Sequence, residues 1–237
     1  MIDIDLYTWH QGVYENSKPD KGVKFIPEWF RKLDVELFSP DIPGGRGQTM
    51  KTCPGFVELF SHSVVMPLWA DVDIYLGKKG TKDCSYAFAS ESFIVGNHPN
   101  VQFSGFTDDE NWQHAKMLSP WMMKASKPIK VCFVQPMWNS IDATEYIRIL
   151  PGIIDIPSKL AVQPNVNMML RRGAEEKYFR FHQGMPLAHL VLMTTEKFSV
   201  KSHLISVEEM DKMTYGKNFR INFLNSFREF MKGENKK

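Results

Sequence analysis

The clearest pattern in the chain is an alternation of apolar residues with other residues over short stretches. At the start, Ile2, Ile4 and Leu6 alternate with acidic residues, which predicts a half-buried β-strand. Comparable apolar or alternating stretches predict further strands at 63–69, 70–76, 85–89, 129–135, 144–150, 151–155, 166–170, 177–181 and 186–193. The stretches recur at roughly ten-residue intervals with turn-forming residues between them, a spacing typical of sandwiches and barrels. The pattern therefore predicts a mainly β fold of the jelly-roll or β-barrel type.

Turn-forming residues predict how some of these strands connect. The Gly-Lys-Lys-Gly run at 77–80 predicts a hairpin between the strand that ends at Leu76 and the strand that begins at Ser85. A second strand pair is predicted from 129–135 and 144–150. Two stretches rich in turn-forming residues are predicted as loops: 39–47 and 96–109.

Helices are predicted mainly at the end of the chain. Ser206 and Glu209 have the Ser-x-x-Glu spacing of a capping box, which predicts a helix that begins directly after Ser206. Near the start, Pro27 fits the first turn of a short helix, and 53–60 fits either a helix or a turn. Four phenylalanines farther on fall on one side of an amphipathic helix and are called the phenylalanine stripe: Phe219, Phe223, Phe227 and Phe230.

The organisation along the chain is simple. No internal repeat and no change in composition divides it. We therefore expect one β domain over residues 1–200, followed by a C-terminal helical extension over residues 201–237.

Composition and charge narrow the classes of function. Of the 237 residues, 43% are hydrophobic and 24% are charged, as in ordinary folded proteins. The 29 basic and 27 acidic residues give a net charge of +2, which is too balanced for a general nucleic-acid binder. The apolar runs are much shorter than the roughly 20 residues of a membrane span. We expect no membrane insertion, and nucleic acid is not the expected partner.

The cysteines and the first residues indicate the compartment. Cys53, Cys84 and Cys132 fit neither a zinc motif nor a disulfide framework, since their number is odd and their spacing is wide. The alternating, acidic beginning of the chain is unlike a signal peptide. We expect a protein that folds in a reducing cytoplasm, with its cysteines as buried thiols.

Candidate chemistry is sparse. None of the seven histidines is followed two residues later by Asp or Glu, the spacing of iron sites in jelly rolls, so we expect no metal and no cofactor. Asp71 and Asp73 share one face of a predicted strand. Such a pair can perform acid–base catalysis, but a solvent-facing position is the simpler interpretation. No serine or cysteine stands in a recognised nucleophile motif.

The aromatic residues have two interpretations. Trp112, Trp121 and Trp138 could stack on a base or a sugar, or they could anchor the core or an interface. We favour the second interpretation and predict Trp121 as an interface residue. The phenylalanine stripe either docks on its own domain or forms an exposed patch for a partner.

Six short segments, taken together and in order, resemble an uncharacterised protein family of tailed phages that is common among large marine phages. They are Lys-Phe-Ile-Pro-Glu-Trp-Phe at 24–30, Thr-Cys-Pro-Gly-Phe at 52–56, Val-Met-Pro-Leu-Trp-Ala-Asp at 65–71, Ser-Pro-Trp at 119–121, Leu-Pro-Gly-Ile-Ile-Asp at 150–155 and Gln-Gly-Met-Pro-Leu at 183–187. The resemblance covers residues 1 to about 200. It implies a phage protein found in the host cytoplasm or in the virion, with no assigned activity.

A second similarity concerns chemistry. The Pro-Gly-Ile-Ile-Asp run at 151–155 and the strand at 182–191 are similar to the second half of the trimeric dUTPase and dCTP deaminase jelly roll. There, a Gly-Val-Ile-Asp turn carries the carboxylate that activates water, so the resemblance implies that role for Asp155. Arg171 or Arg172 would then lie near phosphate. The phosphate motifs of that family have no counterpart in this chain.

These observations leave three hypotheses for the function. The first is a non-enzymatic phage protein that assembles with itself or with other phage proteins, using Trp121 and the phenylalanine stripe. The second is a nucleotide-binding or nucleotide-hydrolysing protein on a dUTPase-like barrel, with Asp155 as the base. The third is a protein that binds a host factor during infection.

Overall fold

The computed structural model describes residues 1–98, 100–108, 110–139 and 145–214. Four α-helices lie in these ranges: α1 Gln11–Asn16, α2 Glu28–Lys32, α3 Pro54–Ser61 and α4 Val207–Thr214. The strands are β1 Ile2–Thr8, β2 Asp20–Lys21, β3 Glu36–Phe38, β4 Arg46–Gln48, β5 Ser63–Pro67, β6 Val72–Leu76, β7 Cys84–Phe88, β8 Val95–Asn97, β9 Trp112–Met117, β10 Met122–Ala125, β11 Ile129–Val134, β12 Ile147–Ile149, β13 Gly152–Ile156, β14 Val166–Arg171, β15 Lys177–Phe181, β16 Pro186–Leu192 and β17 Phe198–Leu204.

Within the described residues, the strands form five open sheets. Their orders are β10-β1-β17, β13-β11-β16-β5-β2, β12-β14-β9-β8, β15-β6-β7 and β3-β4. The mainly β prediction is confirmed, but no sheet in the described ranges closes into a barrel. All except the two-stranded β3-β4 sheet contribute side chains to one hydrophobic core that extends from Ile2 to Phe198.

The first strand shows how the alternating pattern produces this core. Ile2, Ile4 and Leu6 are buried in β1, while the residues between them are only half-buried. β1 pairs in parallel with the whole of β17, from Ile2 opposite Phe198 to Thr8 opposite Leu204. The sheet therefore continues past residue 200, where the sequence suggested that the β domain ends.

The strand pairing differs from one prediction. β11 pairs with β13 and β16, whereas β12 pairs with β14 in another sheet, so the predicted pair of 129–135 with 144–150 is wrong. Apolar alternation shows which face of a strand is buried but does not specify its neighbour. The hairpin between β6 and β7 is confirmed. The stretch 53–60, predicted as helix or turn, forms α3.

The capping box is confirmed at the start of α4. The N–H of Glu209 donates to Ser206 Oγ (3.2 Å), and the N–H of Ser206 donates to Glu209 Oε2 (2.9 Å). Buried Met210 then packs with Met122 and Ala161, which attaches α4 to the body of the protein. The phenylalanine stripe lies outside the described residues.

Replacing Ser206 by alanine should loosen α4 by about 1 kcal/mol, because one helical N–H then loses its acceptor. Hydrogen exchange of the α4 amides is the measurement, and these amides should exchange several-fold faster in the variant. Ser206→Asp, which keeps an acceptor at this position, should restore slow exchange. Equal protection in Ser206→Ala and the unchanged protein would contradict a stabilising cap.

Candidate functional surface

A hairpin that protrudes from the body is the most unusual surface feature, and we call residues 35–48 the arm. It consists of β3, β4 and the connecting loop, in which Gly44 and Gly45 have φ of +90° and +71°. These left-handed values favour glycine, so the loop sequence suits the turn. The N–H of Ser39 donates to the carbonyl of Gly45 (3.0 Å), which closes the tip.

The arm exposes an unusual amount of apolar surface. The exposed fractions are 54% for Val35, 48% for Leu37, 78% for Phe38 and 40% for Ile42. Leu37 and Phe38 are consecutive in one strand, so their side chains point to opposite faces of the ribbon. Because both are exposed, neither face of the arm is covered by the body.

The base of the arm is fixed to α2. The N–H of Thr49 donates to the carbonyl of Val35 (3.0 Å). Lys51 Nζ donates to the carbonyl oxygens of Arg31 (2.9 Å) and Leu33 (2.8 Å), which are at the C-terminal end of α2. These bonds satisfy carbonyls that a helix end leaves without partners. The arm is therefore held firmly at its base, although its faces are uncovered.

Five aromatic side chains beside α2 form a group that we call the aromatic stack: Trp29, Phe30, Phe56, Phe60 and Trp138. Phe56 is the centre of the group, with its ring centroid 3.9 Å from that of Phe30, 4.6 Å from Phe60, 5.3 Å from Trp138 and 6.0 Å from Trp29. Trp29 Nε1 donates to the carbonyl of Trp138 (2.9 Å). Both tryptophans remain about 40% exposed, so the stack extends from the interior to the surface beside α2.

At its inner end, the stack meets a buried polar pair. The Phe60 ring lies edge-on to the ring of His189, with centroids 5.0 Å apart. Ser63 Oγ and His189 Nδ1 share a hydrogen bond of 2.9 Å, and both residues are fully buried. His189 Nε2 has no hydrogen-bond partner in the described residues. Burial lowers the pKa of His189 to about 4, so its ring is neutral at physiological pH.

The Ser63–His189 pair is not arranged for catalysis. An added Cβ on Gly22 would lie 2.5 Å from the carbonyl oxygen of Phe60. The backbone therefore approaches this region too closely for a substrate to enter. We interpret the pair as a structural contact of the core, in which Ser63 bonds one of the two ring nitrogens of His189.

Asp155 is located on edge strand β13 and not in a turn. Its carboxylate is 77% exposed and forms an ion pair with Lys130 (2.7 Å). The shallow groove beside it also contains Lys127, which pairs with Glu196. Because each lysine already has a carboxylate partner, these groups offer little positive charge to a phosphate. The site gives no support to water activation by Asp155.

The two candidate phosphate ligands, Arg171 and Arg172, lie at the end of β14 and directly after it. Arg171 is exposed at the end of β14, with its guanidinium 5.8 Å from the ring centroid of Trp112. Arg172 is buried and donates to the carbonyl of Lys82 (3.3 Å). Asp155 lies on β13 of the β13-β11-β16-β5-β2 sheet, whereas Arg171 lies on β14 of the β12-β14-β9-β8 sheet.

Trp121, the predicted interface tryptophan, is fully buried in the main core. Its backbone N–H donates to Ser119 Oγ (3.1 Å). In the described structure this side chain stabilises the interior and presents no surface to a partner. The other predicted interface residues form the phenylalanine stripe, outside the described ranges.

The paired aspartates occupy the solvent-facing side of β6, as the simpler interpretation predicted. Asp73 accepts two hydrogen bonds from Arg180 (2.7 and 2.6 Å) and one from the Tyr178 hydroxyl (2.5 Å). These bonds lower the pKa of Asp73 to about 2. Asp71 accepts from the N–H of Gln183 (2.8 Å). Both carboxylates are therefore engaged in surface contacts.

The cysteines and the interior add no chemical site. Cys53, Cys84 and Cys132 are unpaired and half-buried, and burial raises the pKa of Cys84 to about 11. An apolar cavity of about 60 Å³ lies among core residues such as Ile147 and Met168.

The described residues contain neither a metal site nor a membrane-spanning helix. They contain no group of three or more His, Cys, Asp or Glu side chains placed to hold a metal ion. None of their helices has the length and apolar character needed to cross a membrane.

The arm is a candidate interaction surface that was not predicted from the sequence. A signal was present, because Val35, Leu37 and Phe38 form a short apolar segment, interrupted by Glu36, directly before a turn-rich loop.

Comparisons with known proteins do not add to this geometry. The chain matches no protein-family profile, no curated protein and no solved structure.

Proposed function

We propose that this chain is a non-enzymatic interaction module that associates with a second copy of itself through the arm. The exposure of Leu37 and Phe38 on opposite faces of the ribbon is the observation that carries the proposal. An exposed apolar patch of this kind marks an interaction surface. In line with the resemblance to tailed-phage proteins, we propose that it acts in the infected host cytoplasm or as part of the virion.

The backbone of the arm supports the same function. Within the described residues, β3 and β4 pair only with each other, so each has an outer edge with free N–H and C=O groups. Such edges pair readily with a strand of another chain. A two-stranded hairpin alone is only marginally stable in water. In a two-fold dimer, pairing of the two arms along one edge would satisfy the free groups of that edge in each arm and bring their apolar side chains close together.

Self-association should depend on the arm. The double variant Leu37→Lys with Phe38→Lys places a charge on each face of the ribbon, so we expect the oligomer to dissociate into single chains. Size-exclusion chromatography with light scattering measures the mass. Val101→Lys is the matched control, because Val101 is 79% exposed on a different part of the surface. A monomeric unchanged protein, or an oligomer insensitive to the double variant, would refute arm-mediated self-association.

The cellular setting needs a separate test. Mass spectrometry of purified phage particles should detect the chain if it belongs to the virion. Absence from particles, together with a monomeric state of the purified protein, would refute the structural role. Association with a host protein through the arm would instead support the host-factor hypothesis.

A further inference from the structure

The outer face of the sheet β12-β14-β9-β8 carries a second arrangement that the arm does not explain. The guanidinium groups of Arg148 and Arg171 lie 5.2 and 5.8 Å from the centroid of the Trp112 ring. Both distances are in the range of cation–π attraction. One tryptophan on β9 thus positions two arginines that come from β12 and β14.

Strand register explains why the three side chains meet. Arg171 is directly opposite Trp112, and Arg148 is directly opposite Met169. Residues opposite each other share a face, and so do residues two apart in one strand. Arg148, Arg171 and Trp112 therefore project from the same side, as diagonal neighbours. Lys116 projects from this side too, because it is opposite Asn167.

The charges of the two guanidinium groups are the second feature of this face. Neither Arg148 nor Arg171 forms an ion pair with a carboxylate within the described part of the chain. By contrast, Arg180 on another sheet is fully engaged with Asp73. Like charges that are close together on one face repel each other. An anion bound between them would remove this repulsion, and guanidinium groups bind phosphate oxygens with two parallel hydrogen bonds.

The rest of the face limits the kind of anion. Phe103 stacks on His114 with centroids 3.4 Å apart, so part of the sheet is covered. Beyond it, His98 Nε2 and Asn167 Oδ1 lie 3.1 Å apart in an exposed polar contact. The uncovered region is an open strip with an aromatic ring and spaced cations. A mononucleotide needs a concave pocket for firm binding, whereas single strands bind such open stacking surfaces.

We propose that the Arg148–Trp112–Arg171 face binds single-stranded nucleic acid through its phosphate backbone. The arginines bind successive phosphates, while Trp112 holds them apart and offers its remaining surface to a base. The net charge of +2 is compatible with this, because a few unpaired cations on one face suffice for modest, salt-dependent binding. This proposal does not depend on the arm, which belongs to a different sheet.

Fluorescence anisotropy with labelled oligothymidylate and oligouridylate tests the proposal. We expect saturable binding at low salt that weakens as salt rises. Arg148→Gln and Arg171→Gln should each reduce affinity by roughly tenfold. Each should also make the slope of log K against log salt shallower by about 0.7, the value for one phosphate contact to a single strand. Lys201→Gln, which removes an equal charge from an exposed position on β17 in another sheet, should leave both quantities unchanged.

Two further measurements identify the ligand. Thymidine monophosphate and a duplex of the same length should bind much more weakly than either oligonucleotide. Trp112→Leu should lower affinity while the unfolding temperature stays close to that of Lys201→Gln. Four results would overturn the proposal: no saturable binding, equal losses in Lys201→Gln, duplex binding as strong as single-strand binding, or polyglutamate binding as strong as oligonucleotide binding.

Discussion

Replacing Phe56 by alanine is expected to destabilise the protein by about 3–5 kcal/mol, the usual cost of deleting a buried aromatic ring. Phe56 is 2% exposed and contacts the four other rings of the aromatic stack. The deletion removes apolar burial and leaves a cavity at the point where these rings meet. Urea unfolding followed by tryptophan fluorescence measures the loss, and Trp29 and Trp138 report on it directly.

The adjacent residue provides a matched control. Val57 lies on the same helix but is 48% exposed, so Val57→Ala should cost well under 1 kcal/mol. Because the base of the arm is bonded to α2, Phe56→Ala should also weaken self-association under conditions where the protein remains folded. Comparable stability losses in the two variants would show that the stack does not contribute as its geometry indicates.

Acidification is the second change with a large expected effect, and it acts through His189. Burial lowers the pKa of this residue to about 4, whereas a histidine in an unfolded chain has a pKa near 6.5. The difference corresponds to a loss of about 3 kcal/mol in the free energy of unfolding between neutral pH and pH 4.

The direction of the effect follows from proton binding. Between pH 6.5 and pH 4, the unfolded chain binds a proton that the folded protein does not, so the folded state loses stability as the pH falls. Below pH 4 both states are protonated and this contribution becomes constant. His10, whose pKa is also lowered by burial, acts in the same direction. Asp73, with a pKa of about 2, titrates below this window.

Urea unfolding at a series of pH values from 4 to 7 tests the assignment to His189. In His189→Asn, which keeps a polar partner for Ser63 but does not titrate, stability should change much less over this range. His182→Asn is the control, because the His182 side chain is 66% exposed. An unchanged pH dependence in His189→Asn would mean that other groups cause the acid sensitivity.

The aromatic stack connects these two predictions to the proposed function. It joins the buried Ser63–His189 pair to α2, and Lys51, three residues after the arm, donates to carbonyls at the end of α2. We therefore expect acid conditions that destabilise the region around His189 to weaken the support of the arm as well. This connection gives the otherwise free-standing hairpin a rigid base from which to bind a second chain.

Local features of this fold could be predicted from the sequence because they depend on neighbours in the chain. The alternation at Ile2, Ile4 and Leu6 defined a strand with one buried face, and the Ser206–Glu209 spacing defined the start of α4. The solvent-facing position of Asp71 and Asp73 followed from the same periodicity. Each of these features involves residues within a few positions of each other, so short-range rules suffice.

The candidate sites could not be predicted in this way because they depend on which strands become neighbours. Trp121 is buried, and Asp155 lies in a different sheet from Arg171, since pairing partners are chosen by packing over the whole chain. The sequence by itself determined the mainly β character, many strand positions and the cap of α4. Only the tertiary structure decided that the arm remains uncovered and that Arg148 and Arg171 lie beside Trp112. Both results depend on how segments distant in the chain are placed relative to one another.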